Sequence, residues 1–236
     1  HSFPTRRSSD LLAEQLNHPF SLGQALGFLA VAHHFRDETE AGLQAAGRAI
    51  TVCEAGGFVV WLAHARMLRG RLLASQGDVH QGLQQLTQGM AEWRATGAVV
   101  SLPFYQGLQA ECLALAGRAG DALAVVDQAL AAVARHGERH CAPDLQRLRG
   151  SLLWQGGADA DGALAAWSSG LDEARAMQAP GLALRCALPM ARHWHRQGAA
   201  ARAADLLGRY LPPVLAGGAS PDTRSAAALL AGNTPG

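Results

Sequence analysis

The sequence predicts an all-α protein: an α-solenoid of about five stacked helical hairpins, wound as a right-handed superhelix. Three observations carry this reading. Small residues recur every 40 positions, with one slip of a single residue. Glycines that close helical runs recur at the same interval. The apolar fraction of 49% is built mostly from Ala and Leu, with few Val, Ile or Thr, which suits close helix–helix contact better than sheet packing.

The elements follow from these series. The first helix of each hairpin carries a small residue at Ala30, Gly70, Ala110, Gly150 or Ala191, with a larger side chain three positions on at His33, Leu73, Leu113, Leu153 or Trp194. A turn is expected seven positions after each small residue, at Asp37, Gly77, Gly117, Gly157 and Gly198. The second helix carries Gly42, Gly82, Ala122, Ala163 or Ala203, and four residues later Ala46, Leu86, Val126, Trp167 or Leu207. Gly57, Gly97 and Gly137 then end these helices as C-cap glycines do. The slip lies in WQGGADADGA, where a loop insertion costs little. A mid-helix glycine costs about 0.5–1 kcal/mol relative to alanine, so Gly70, Gly82 and Gly150 require close packing in return. The array is expected over residues 12–211, and a linker from Pro212 through GGASPD leads to a short capping helix near 221–230, completing the segment 212–236.

Composition excludes several functions. The net charge is +1, and all 20 basic residues are arginine, with no basic stripe or acidic tail, so bulk charge points to neither nucleic acid nor an anionic membrane. The four cysteines are far apart and form no C-x-x-C, as in a cytoplasmic protein with reduced thiols. No apolar run approaches the ~18 residues of a membrane span. Without lysine no G-x-x-x-x-G-K-[ST] loop exists, and neither G-x-G-x-x-G after a strand nor G-x-S-x-G occurs. No catalytic residue and no cofactor are therefore expected. His136, His140 and Cys141 have ligand-like spacing, but Gly137 is expected to break the helix between them and no fourth ligand is within sequence reach. His193 and His195 fall on different helix faces. His33 is expected to pack at a bulky core position.

The order small residue, bulky residue, turn glycine, small, bulky, small resembles the tetratricopeptide repeat over about residues 19–211, although the usual period of that repeat is shorter than the 40 seen here. HEAT-type repeats have similar length but lack this glycine register. More specifically, GFVVWLAHARMLRGRLLASQGDVHQGLQQLTQGMAEWRATGA, DLQRLRGSLLW, ALRCALPMARHWHRQGAAARAADLL and the closing PDTRSAAALLAG resemble the C-terminal region of large bacterial signalling proteins. In that group an adenylate/guanylate cyclase domain or a DNA-binding activator domain precedes an AAA-type ATPase module and a tetratricopeptide array. The resemblance implies a tail fragment of such a protein. The opening HSFPTRRSSDL is the in-frame translation of DNA resembling a short-read sequencing adapter, so residues 1–11 are expected to be an assembly artefact, disordered, with the true N-terminal part missing.

In such arrays the first helices line a concave groove. Counting from the register residues, that groove is expected to carry Gln24, His34, His64 and Arg71 on the early helices, and Phe104 and Glu111 on the next. Asp144, Arg147 and Trp154, then Arg185, Arg192 and His195, complete it. Arginine offers bidentate contacts to carboxylates and the aromatics offer anchors, so the expected partner is a protein or peptide segment, or the upstream domains of the same chain. The alternative is a structural spacer or self-association arm that binds no ligand.

Overall fold

The structure is a computed structural model and describes residues 11, 13–15, 17–155 and 159–232. Among these residues every element is helical: α1 (Pro19–Phe35), α2 (Thr39–Gly56), α3 (Val59–Ser75), α4 (Val79–Ala95), α5 (Leu102–Leu115), α6 (Ala119–His136), a 3-10 turn (Arg139–Cys141), α7 (Ala142–Leu153), α8 (Ala160–Ala176), α9 (Pro180–Arg196), α10 (Ala200–Leu215) and α11 (Pro221–Leu230). The disorder expected for residues 1–11 lies outside the described residues except at exposed, helical Leu11. The expected turn glycine Gly157 also lies outside them.

The chain divides into two compact units between Arg118 and Ala119. In the first unit α1 packs on α2, α3 on α4, and α3 also packs on α1, α2 and α5. In the second, α7 pairs with α8 and α9 with α10, α9 touches α7 and α8, and α11 closes on α9 and α10. Consecutive neighbours packed in pairs are the arrangement of an α-solenoid-like helical repeat.

Proline starts most of the first helices, at Pro19, Pro180 and Pro221 in the first position and at Pro103 and Pro143 in the second, where a missing N–H costs nothing. Asp78 and Asp159 cap α4 and α8 by accepting from Gln81 N–H at 3.3 Å and Gly162 N–H at 2.8 Å. Both small-residue series are buried throughout, with Ala30, Ala110, Ala122, Ala163 and Ala191 each at 0% exposure. The reason is visible at Gly70: a Cβ there would stand 2.5 Å from Gly82 O and 2.7 Å from Leu86 N. The α3 and α4 backbones touch, and no side chain fits between them.

The register is written in the backbone too. Positive φ falls at Asn17, Gly57, Gly97, Gly137, Gln178 and Gly218, and in the alternate turns at Asp37, Gly77, Gly117 and Gly198. Four of the first helices end with the same capping bond, in which Glu38, Asp78, Arg118 and Ala199 N–H donate to His33, Leu73, Leu113 and Trp194 O. At the slip, Asp159 N–H reaches Leu153 O, one residue farther along the chain.

Two expectations change. Residues Pro212 and Pro213 lie inside α10, so the linker starts after Leu215. Gly208 and Arg209, whose carbonyls lose their helical donors to the two prolines, are exposed to water, while Leu207 and Leu211 keep the inner face buried. His33 is half-buried rather than core, with its Nδ1 at 2.7 Å from the Glu38 carboxylate. The Arg36 and His33 hydrogen bonds hold that carboxyl below its ordinary range.

Candidate binding surface

On a helix, residues seven apart lie nearly in line. In the first unit this aligns His64 with Arg71 on α3 and Phe104 with Glu111 on α5. Arg71 Nε donates to Glu111 Oε2 at 2.5 Å, tying α3 to α5. Arg71 also bonds Ser75. Phe104 is partly exposed and rests on Tyr105, with ring centroids 5.4 Å apart, and near Phe35 at 6.3 Å. Gln24 and His34 are half-buried on α1.

His64 does not line a groove. It is 3% exposed, and its Nδ1 hydrogen-bonds Tyr105 Oη at 2.7 Å. Glycine at position 27 leaves the slot it fills: a Cβ on Gly27 would stand 2.7 Å from His64 Cδ2. Phe28, Trp61 and Tyr105 surround the ring at centroid distances of 5.7, 5.7 and 5.9 Å. Burial pushes its pKa from 6.5 down to about 4, against a weaker opposing contact from the Gly27 backbone. Its Nε2 has no good protein hydrogen bond.

In the second unit α7 and its C-cap align Asp144, Arg147 and Trp154, and α9 aligns Arg185, Arg192 and His195. Asp144 accepts from Arg147 Nε at 2.8 Å and from Arg185 Nη1 at 3.3 Å. Arg185 Nε in turn donates to Asp222 of α11 at 2.9 Å. Burial raises the Asp144 carboxyl, but the two guanidiniums outweigh it and hold it below the usual carboxylate range. Burial likewise pulls Arg185 down, and Asp144 and Asp222 more than reverse this. Trp154 is partly exposed and stands perpendicular to the buried His193 ring at 4.6 Å. Arg192 is exposed and His195 half-buried.

Sequence reasoning missed Tyr105 as the partner of His64 and Asp222 as the partner of Arg185. It also missed the aromatic cluster of Phe20, Phe28, Phe58 and Trp61, in which Phe20 meets Phe58 at 5.3 Å and Phe28 meets Trp61 at 5.5 Å. The repeat spacing could have exposed two pairs, since Tyr105 and Arg185 follow their partners His64 and Asp144 by 41 residues.

The cysteines are buried, and burial raises the Cys53 thiol and pushes those of Cys112, Cys141 and Cys186 up to about 12, leaving them un-ionised at neutral pH. α6 ends at His136, and Gly137 has φ 74°, so His140 and Cys141 lie on a separate 3-10 turn. Among the described residues no three potential ligands gather to hold a metal ion, and no helix is long and apolar enough to cross a membrane. Comparison with known proteins finds no matching family model and no matching curated protein.

Proposed function

We propose that this chain is a non-catalytic interaction and regulatory module, the tetratricopeptide-like C-terminal tail of a larger bacterial, cytoplasmic signalling protein. On this reading the missing upstream part carries an AAA-type ATPase with a cyclase or DNA-binding domain. The array binds a protein or peptide segment, or those domains, and neither cofactor nor nucleic acid takes part. The observation that supports it best is the helical register with its two stripes on α7 and α9, where partly exposed Trp154 and exposed Arg192 accompany a fixed charge network. Fixed arginines and an aromatic anchor suit an extended acidic segment.

A second reading has its own observation. Arg71 with Glu111, and Asp144 with Arg147 and Arg185, spend their charges on one another. That favours a structural spacer or self-association arm. Sequencing the source DNA upstream of the Leu12 codon tests the first reading. A frame running into an ATPase phosphate-binding loop supports it; a start codon directly before His1 contradicts it.

A further inference from the structure

In each first helix, the residues five and two before the register residue and two after it form one stripe. In α3 these are Ala65, Leu68 and Leu72, exposed by 0%, 0% and 1%. In α5 they are Tyr105, Leu108 and Cys112, also buried. α11 shows what covers the stripe. It is the last described helix, yet Ala226 and Leu229, at the same positions, are buried in a core shared with α9 and α10. The stripe therefore faces the preceding hairpin.

In α1 the stripe is Ala25, Phe28 and Ala32. Both alanines are only half-buried, and Phe28 is 47% exposed even though one edge of its ring meets Trp61 and His64 of α3. The chain before α1 is already shaped like the end of a second helix. Asn17 has φ 47° and precedes Gly57 by one period. His18 N–H donates to Ala13 O at 3.0 Å, as Phe58 N–H does to Cys53 O at 2.9 Å. Ala13 is buried like Cys53, and Glu14 pairs with Arg48 of α2. Further upstream the pattern stops: Arg6 stands one period before Ala46, where Leu86, Val126 and Leu207 are apolar.

We infer that the face of Ala25, Phe28 and Ala32 is a docking surface for one further helical hairpin of the same register, joined through the turn at Asn17. It repeats the interface by which later hairpins stack within each unit. Leu68, Leu108 and Leu229, two positions before their register residues, are buried apolar plugs of that interface, and Phe28 is their counterpart in α1.

Thiol labelling tests this, because the native cysteines are buried and un-ionised. Phe28→Cys is placed in the full chain and in a hybrid whose residues 1–17 are replaced by a copy of residues 180–218. That copy's trailing face natively receives Ala226 and Leu229. An aromatic disulfide reagent is expected to label the Phe28→Cys thiol roughly tenfold or more slowly in the hybrid. Labelling of Val99→Cys, in an exposed loop, stays the same. A hybrid with two residues inserted before His18, out of register, labels fast again. Equal rates in the full chain and the in-register hybrid overturn the inference. So does slow labelling of the full chain that speeds up on dilution with loss of a sedimenting dimer, which would assign the face to a second copy.

Discussion

The two units build the same crossing from different materials. In the first, α3 and α4 meet backbone to backbone at Gly70 and Gly82. In the second, Gly150 of α7 faces the indole of Trp167, which is 1% exposed and donates its Nε1–H to Arg147 O at 3.1 Å. Both units seat a buried histidine among aromatics, His64 in the first and His193 in the second, but the second also ties α7, α9 and α11 through Arg185. A repeat register thus specifies where helices come close, not what fills the contact.

The largest expected effect breaks the second crossing. Trp167→Ala removes the wedge and its hydrogen bond and should cost about 3–5 kcal/mol in urea unfolding. A much smaller loss would mean that α7 and α8 collapse onto the gap.

Acid should act on the first unit. The folded His64 pKa is depressed, so the unfolded chain takes up the proton first as pH falls. Stability is full above about 6.5 and is lost progressively between there and about 4. The shift amounts to about 3 kcal/mol as an order of magnitude. His64→Phe should flatten that part of the stability–pH curve; an unchanged slope would remove His64 as its cause.

Next come the crossings themselves. Gly70→Ala and Gly150→Ala should each cost about 1–3 kcal/mol. Adding Trp167→Phe should recover part of the Gly150→Ala loss, because there the neighbour is partly a side chain. No side-chain change should recover Gly70→Ala, whose two nearest neighbours are backbone atoms. Equal recovery at both sites would erase the distinction between the units.

The smallest effect is a gain. Gln178 holds φ 52° at the position that is glycine in Gly57, Gly97 and Gly137. Gln178→Gly should stabilise by about 1 kcal/mol, read as a higher urea midpoint.

The sequence made the register legible because close helix contact demands small residues at fixed spacing, and Gly70, Ala110 and Gly150 declare themselves. Gln178 and Asp37 were less legible as left-handed turns because the stacked hairpins impose a conformation their own propensity resists. The helix through Pro212 was hidden because its cost depends on whether water reaches the freed carbonyls. His64 was misplaced because its depth depends on Gly27, far earlier in the chain, and on aromatics from other helices. Arg185 could be placed on a face, but its choice of Asp144 and Asp222 is set by tertiary contact alone.

The central claim is that a 40-residue hairpin is the structural unit of this chain. Residue-resolved amide exchange on the full chain tests it most directly. The account predicts slow exchange along each helix, interrupted by fast amides near residues 37, 57, 77, 97, 117, 137, 178, 198 and 218. Protection that runs unbroken through Gly97 and Gly137, or breaks that recur at another interval, would contradict it.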